Sequence, residues 1–330
     1  MKEYKVVNKT YVKSSNSIHK IYTNYTISLI LFIALTIVSY IIFNHQDLIL
    51  PLLKSIVISL LIASIAGYII NIINKETKFI KIYTQDNIHI IAIILGLLGI
   101  NTNIIVLSIS MLITLIIKKI IKNIELSSIL YGALILVLYK YFNNELITPL
   151  TELKTLSFNT TYGEIIKYPV VDYLIGAIYL SPIISILAFI YLFYKKSIKY
   201  NVYISYTLTF SFIMFMYGVL NNMLWFIWLS LASGNVLFLA TYALPDYKAT
   251  PTIKETSIIY GIILGIISSI LRFIIPELSI IIPMILGLLL TKPLDNISTK
   301  LKYNKKIYNT IIIMSIILII LTITGLTIIF

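Results

Sequence analysis

Residues 88–120 read IHIIAIILGLLGINTNIIVLSISMLITLIIKKI, and this stretch decides the fold of the chain. Two apolar blocks lie on either side of Asn101-Thr102-Asn103, and the second block ends in Lys118-Lys119. A helix needs about 20 mostly apolar residues to cross the hydrocarbon of a bilayer. A helix also satisfies its own backbone hydrogen bonds, which lipid cannot do. The stretch therefore predicts two neighbouring membrane helices with lysines at one aqueous face.

The same pattern extends over most of the chain. Of its 330 residues, 59% are hydrophobic and 12% are charged, whereas a soluble domain carries about 25% charged residues. The alternation of apolar and polar residues that is typical of a membrane β-barrel is absent. We therefore expect an all-α, polytopic bundle of transmembrane helices with 10–11 spans.

Eleven apolar segments are candidates for these spans. They are 25–43, 52–73, 88–100, 103–117, 126–139, 171–194, 202–219, 223–244, 257–275, 278–290 and 307–330. The third, fifth and tenth are short for a full crossing. Either their helices extend beyond the apolar block, or they are short segments of the kind that line cavities in transport proteins.

The basic residues alternate between the two sides of such a bundle. If the N-terminus is cytoplasmic, 21 of the 26 lysines and arginines fall in inner segments. The outer side keeps only Lys54, Lys140, Lys154, Lys167 and Arg272. Because positive charge collects in cytoplasmic loops, this pattern predicts a multi-pass protein of the cell membrane with a cytoplasmic N-terminus.

Three regions follow from this topology. Residues 1–22 form a lysine-rich cytoplasmic tail, and residues 23–296 form the membrane domain. Residues 297–330 add a C-terminal transmembrane helix. The membrane domain contains a long outer loop at 140–170, and connections of this length are often functional.

The composition also excludes several kinds of chemistry. The chain has no cysteine, so we expect neither an iron–sulfur cluster nor c-type haem. Its three histidines follow no metal-ligand spacing, so we expect no metal site. The net charge of +13 is spread over short loops, which indicates a lipid bilayer as partner and no nucleic acid. No P-loop, Gly-x-Ser-x-Gly or His-Glu-x-x-His motif of an enzyme that acts alone is present.

One stretch carries a resemblance to a known family. Residues 233–252 read SGNVLFLATYALPDYKATPT, with a Ser-Gly pair followed by Asp246, Thr250 and Pro251. The next helix contains Tyr260-Gly261, Gly265, Leu271-Arg272 and Pro276-Glu277, and Pro293-Leu294-Asp295 closes the stretch. This order of motifs resembles the RnfD component of Rnf electron-transport complexes, and it is similar to the NqrB component of the sodium-translocating NADH:quinone reductase.

The resemblance implies a function and a cofactor. It implies a membrane subunit of an Rnf-type complex, with other membrane subunits as partners, that couples flavin-mediated electron transfer to sodium or proton translocation. In the family, a threonine before Pro-Leu carries FMN through a phosphoester bond, and Thr148 occupies that place here. The family's Asp, Ser, Gly and Ala before this threonine are replaced by Phe142, Glu145, Leu146 and Ile147.

Two glycine-rich motifs of the family are also replaced, by KNIELSS at 122–128 and by AIYLSP at 177–182. Glycines there would let a flavin approach the backbone. These differences leave open the alternative of a transporter or channel-like protein that keeps the scaffold without flavin.

Three ionisable residues are candidates for ion coupling: Asp246, Arg272 and Glu277. Asp246 either helps to bind a cation at the inner mouth or ends a helix in a Pro-Asp turn that caps the next helix with Thr250 or Thr252. Arg272 either steers an ion or a flavin phosphate at the outer face or anchors its helix, with its side chain reaching outward to Glu277.

Overall fold

A computed structural model describes residues 18–42, 46–73, 87–121, 124–143, 182–224, 226–232, 235–275, 278–303 and 305–329. All regular elements in these ranges are helices, which confirms the predicted all-α bundle. Within the described ranges, five helical segments are long and apolar enough to cross a membrane. They are His19–Ile42, Gln46–Ile69, Tyr200–Leu220, Lys254–Ile274 and Asn309–Ile328.

The helices are numbered here in chain order over the described ranges. They are α1 Ile18–Ile42, α2 Ile49–Ile73, α3 Ile88–Leu98, α4 Ile104–Ile120, α5 Ile129–Phe142, α6 Pro182–Tyr194, α7 Tyr200–Leu220, α8 Phe226–Ala232, α9 Val236–Tyr242, α10 Lys254–Ile274, α11 Ile281–Tyr303 and α12 Lys305–Ile329. Single 3₁₀ turns precede α2 and α5, at Gln46–Leu48 and Leu126–Ser128.

The predicted continuous span 223–244 is wrong, because two helices of seven residues occupy it, α8 and α9. Seven residues rise only about 10 Å, so neither helix crosses a bilayer alone. Asn235, directly before α9, has φ 55°. This left-handed conformation ends a right-handed helix, and asparagine tolerates it better than most residues.

The three short spans have different outcomes. The fifth stays short, because α5 has 14 residues after its 3₁₀ turn. The third is a short helix, because α3 has only 11 residues. The tenth was predicted too short, since α11 continues through Pro293 to Tyr303. Its polar second half leaves the apolar block and reaches the loop before α10, where Asp295 accepts hydrogen bonds from Thr252.

Two glycines allow close packing between helices in the second half of the chain. Gly261 and Gly265 on α10 lie against α7, where a Cβ on Gly261 would stand 2.8 Å from the Val202 carbonyl oxygen. A Cβ on Gly265 would stand 3.0 Å from the Tyr206 carbonyl oxygen. Small residues permit such close backbone packing in membrane helices, and here they bring α7 and α10 together along their length.

The two short helices α3 and α9 form a matched pair. Each begins directly after an asparagine in the left-handed conformation, Asn87 with φ 51° and Asn235 with φ 55°. Ten of the eleven residues of α3 and all seven of α9 are buried. Both therefore lie inside the bundle, surrounded by longer helices.

Their contacts show that α3 and α9 run in opposite directions. Along α9, Phe238 packs on Phe32 of α1 at 5.2 Å between ring centroids, and Tyr242 then reaches Ser28. This helix therefore runs towards the start of α1. By contrast, α3 starts beside Thr26 of α1 and runs towards the start of α2, because Ala92 contacts Ser59 and Gly96 then contacts Ile56.

One end of the bundle collects four segments that the lysine pattern assigns to the inner side. The turn before α5, the turn before α7, the loop 243–253 and the second half of α11 are joined there by side-chain hydrogen bonds. The opposite end carries Lys140, whose Nζ donates to the Ile100 carbonyl oxygen at 3.1 Å. Lys140 thus belongs to α5 and is buried. The rest of the predicted outer loop, from residue 144 on, lies outside the described residues.

Candidate functional site

The carboxylate of Asp246 joins the loop after α9 to the 3₁₀ turn before α5. The residue follows α9 in a Pro-Asp turn, and only 4% of its surface is exposed. Its Oδ2 accepts hydrogen bonds from the backbone N–H groups of Glu125 at 3.1 Å and Ser127 at 2.9 Å, and from Ser127 Oγ at 2.8 Å. Its Oδ1 accepts from the Lys248 N–H at 3.1 Å.

These bonds give Asp246 a structural role at the start of another helix. The first N–H groups of a helix lack partners within it, and a carboxylate there also interacts favourably with the helix dipole. Asp246 satisfies such groups on the 3₁₀ turn that leads into α5. Of the two roles expected for Asp246, cation binding or a turn that caps the following helix α10, the second needs correction, because the amides that the carboxylate caps lie about 120 positions earlier in the chain. Sequence spacing carries no signal for such a contact.

The loop after Asp246 is closed by its own hydrogen bonds. Thr250 Oγ1 and the Ala249 N–H both donate to the Asp246 carbonyl oxygen, at 2.7 and 3.2 Å. Ser257 Oγ donates to the Pro251 carbonyl oxygen at 2.9 Å. The predicted partner Thr250 therefore fixes the main chain of the loop, while the carboxylate points to α5.

Two lysines attach this loop to neighbouring segments. Lys248 forms an ion pair with Glu125, beside the amide that Asp246 binds. Lys199, directly before α7, donates from Nζ to the carbonyl oxygens of Tyr247 at 3.0 Å, Thr250 at 3.0 Å and Pro251 at 3.2 Å. The charge pattern of the sequence places Lys199 only among the inner group of lysines. Its contact with the loop was missed, because nothing in the local sequence marks it.

Arg272 lies far from this cluster, near the opposite end of α10. Its side chain has no exposed surface, and its predicted partner Glu277 lies outside the described residues. Its Nη1 donates to Ser279 Oγ at 3.4 Å, across the turn between α10 and α11. The close packing of α7 and α11 around α10 encloses the side chain, which the position near a helix end did not reveal.

The remaining predicted site residues are not part of the described cluster around Asp246. Thr148 and Glu277 lie outside the described residues. Asp246 and Arg272 sit at opposite ends of the bundle, so they do not form one site.

The segment that replaces a glycine-rich motif of the family is described in part, from Ile124 on. Its Ser127 is buried, and both the N–H and the hydroxyl of Ser127 donate to Asp246. These donors are therefore already used within the protein. Residues 124–128 therefore do not form an open backbone cradle of the kind that glycines would offer a flavin.

A cavity of about 430 Å³ lies at the start of α3, near the start of α1. It is lined by His19, Tyr22, Thr23, Thr26, Ile27, Asn87 and His89. His89 Nε2 lies 2.9 Å from Thr26 Oγ1. The sequence placed both histidines at the inner side but gave no signal that they line one cavity, because about 70 residues separate them.

The helices, the apolar surface and the distribution of lysines define a multi-pass membrane protein. The chain belongs to the NQR2, RnfD, RnfE family, whose model matches residues 5–279. This confirms the resemblance read from residues 233–295. The family consists of subunits of multi-subunit membrane complexes, so the chain is an Rnf- or Nqr-type membrane subunit. The comparison with curated proteins gave no match.

Proposed function

We propose that this chain is the membrane subunit of an Rnf-type complex that couples flavin-mediated electron transfer between partner subunits to sodium or proton translocation. Membership of the family over residues 5–279 carries the proposal. The pair of short, buried helices α3 and α9 supports it, since interrupted helices inside a bundle are typical of ion and substrate pathways.

In this proposal, FMN supplies the electron chemistry when it is bound, and Thr148 is the residue that would hold it. The chain itself supplies the membrane scaffold. Its own charged groups, with Asp246 and Arg272 as the described candidates, set the field that a translocated cation meets at each end. With no cysteine in the chain, iron–sulfur steps belong to partner subunits.

In-gel flavin fluorescence of the purified, denatured chain tests the covalent site. We expect a fluorescent band from the wild type and none from Thr148→Ala, with Thr151→Ala as the matched control that keeps the band. A band that persists in Thr148→Ala would contradict attachment at this residue. A wild-type chain without a band would exclude covalent flavin altogether.

A second function is favoured by one observation. The donors of Ser127 are taken by Asp246 where the family motif has glycines, which fits a transporter or channel-like protein that keeps the scaffold without flavin. Purification of the tagged chain from native membranes separates the two. Co-purified flavoprotein and cysteine-rich subunits would support the redox complex, whereas a chain that purifies alone without any flavin would support the second function.

A further inference from the structure

The three carbonyl groups that bind Lys199 form a cradle for a small cation. The carbonyl oxygens of Tyr247, Thr250 and Pro251 all lie 3.0–3.2 Å from Nζ. A lysine ammonium has three N–H donors, and each has one carbonyl partner here. Rings of backbone carbonyls that replace a hydration shell are also the way in which channels bind monovalent cations.

The cradle is held by bonds that do not involve Lys199. The Asp246 carbonyl oxygen accepts from Thr250 Oγ1 and from the Ala249 N–H, which closes the loop. Ser257 Oγ fixes the Pro251 peptide. The Asp246 side chain ties the start of the same loop to α5. These bonds hold the loop around the Thr250 and Pro251 carbonyl groups without Lys199, and a binding site requires such support.

Two carboxylates near the cradle favour a cation there. Burial lowers the pKa of Lys199, while the carboxylates of Asp246 and Asp295 act in the opposite direction. The two carboxylates supply a negative field at this end of the bundle, which offsets part of the cost of burying a cation there. The ring of Tyr247 adds a cation–π contact, with Nζ 5.6 Å from its centroid.

We infer that the loop 247–251 is a binding site for a small monovalent cation, of the size of ammonium or potassium, which the Lys199 side chain occupies in this structure. The N···O distances fit these ions better than the smaller sodium ion, which requires shorter contacts. The tethered ammonium acts as a plug, so an ion enters only when the side chain is removed or moves away. The site does not depend on flavin or on electron transfer, and it goes beyond the function proposed above.

Replacement of Lys199 by methionine tests the site. Methionine keeps the apolar stem of the side chain but lacks the Nζ atom, so Lys199→Met leaves space for one ion between the carbonyls. The matched control is Lys254→Met, which removes an exposed lysine on the first turn of α10 at the same end. The full chain is purified in detergent, and its Tm is measured in ammonium, potassium, sodium or choline chloride at constant ionic strength.

A ligand that binds only the folded state raises its stability by mass action. We expect the Tm of Lys199→Met to rise saturably by about 2 °C up to about 100 mM ammonium or potassium. Sodium should act more weakly, and choline should have no effect. The wild type and Lys254→Met should show no saturable response, because the ammonium of Lys199 fills the cradle in both.

Equal responses of Lys199→Met and Lys254→Met to all four salts would overturn the inference. If Lys199→Met does not yield folded protein in choline, the yield of monodisperse protein is compared between ammonium and choline. A yield restored by ammonium would support the site, and an equally low yield in both salts would count against it. Stability is the readout in each case, so the result is independent of any redox activity.

Discussion

Replacement of Asp246 by asparagine should loosen the start of α5. The substitution preserves shape but removes the charge that four donors share. It also turns one acceptor oxygen into an NH₂ donor. If that group takes the place of Oδ1, it faces the N–H of Lys248, so that two donors oppose each other in a partly buried position.

The expected loss of free energy depends on the hydrogen bonds that the Asp246 carboxylate accepts. Hydrogen bonds to a charged group contribute about 1.5–3 kcal/mol and neutral ones about 0.5–1.5 kcal/mol, so the three bonds on Oδ2 lose about 3 kcal/mol in total. The opposed donors cost about 1–3 kcal/mol more. Relief from burying a carboxylate offsets part of this. We expect a net loss of about 2–4 kcal/mol in the free energy that holds the turn 124–128 closed.

Hydrogen exchange of the full chain in detergent measures this opening directly. Since 1.4 kcal/mol corresponds to a factor of ten, the Ser127 amide should exchange about 30- to 700-fold faster in Asp246→Asn, if exchange proceeds through local opening. Asp295→Asn is the matched control, because it removes a carboxylate that binds Thr252 at the same end. An unchanged rate in Asp246→Asn, or an equal acceleration in Asp295→Asn, would refute the capping role.

Three further results are expected from unfolding measurements. Gly261→Ala should lower the free energy of unfolding by about 1–3 kcal/mol through overpacking. Gly325→Ala should not lower it, because no atom lies within 4 Å of the added Cβ. Equal effects of the two substitutions would contradict the close packing of α10 on α7. Lys248→Gln should cost less than about 1 kcal/mol, because the ion pair with Glu125 is half exposed on the lysine side; a larger loss would show that the pair is shielded from water. Burial raises the pKa of Tyr247. The contribution of the protonated hydroxyl to the free energy of unfolding is therefore fully present below the usual tyrosine pKa of about 10, and it is lost as the pH rises above that value. Tyr247→Phe should therefore lose less stability than the wild type between about pH 9.5 and 11, and parallel pH profiles of the two proteins would exclude this role.

Much of the fold was predictable because lipid imposes strong rules on sequence. Long apolar blocks such as 25–43 and 307–330 must be helices, and the structure has helices there. The motif order in 233–295 was enough for the family. The break at Asn235 was missed, because the apolar run continues across it and asparagine alone does not end a helix. The length of α11 was missed because its second half is polar and lies beyond the apolar block.

The site was less predictable than the fold. Asp246 stood out as an acid in a Pro-Asp turn, but its partner could not be read from spacing. The turn before α5 and the loop after α9 are far apart in the chain, and they meet only because both close the same end of the bundle. For the same reason, Lys199 looked like one lysine among many.

The sequence by itself determined that the chain is a bundle of membrane helices, which segments share a side, and to which family it belongs. Hydrophobicity, the distribution of lysines and ordered motifs are local properties, so they can be read without coordinates. Only the tertiary structure decided that the Asp246 carboxylate caps α5, that Arg272 is enclosed and that three carbonyls surround Lys199. Each of these depends on distances between segments that lie far apart in sequence, and helix packing alone sets those distances.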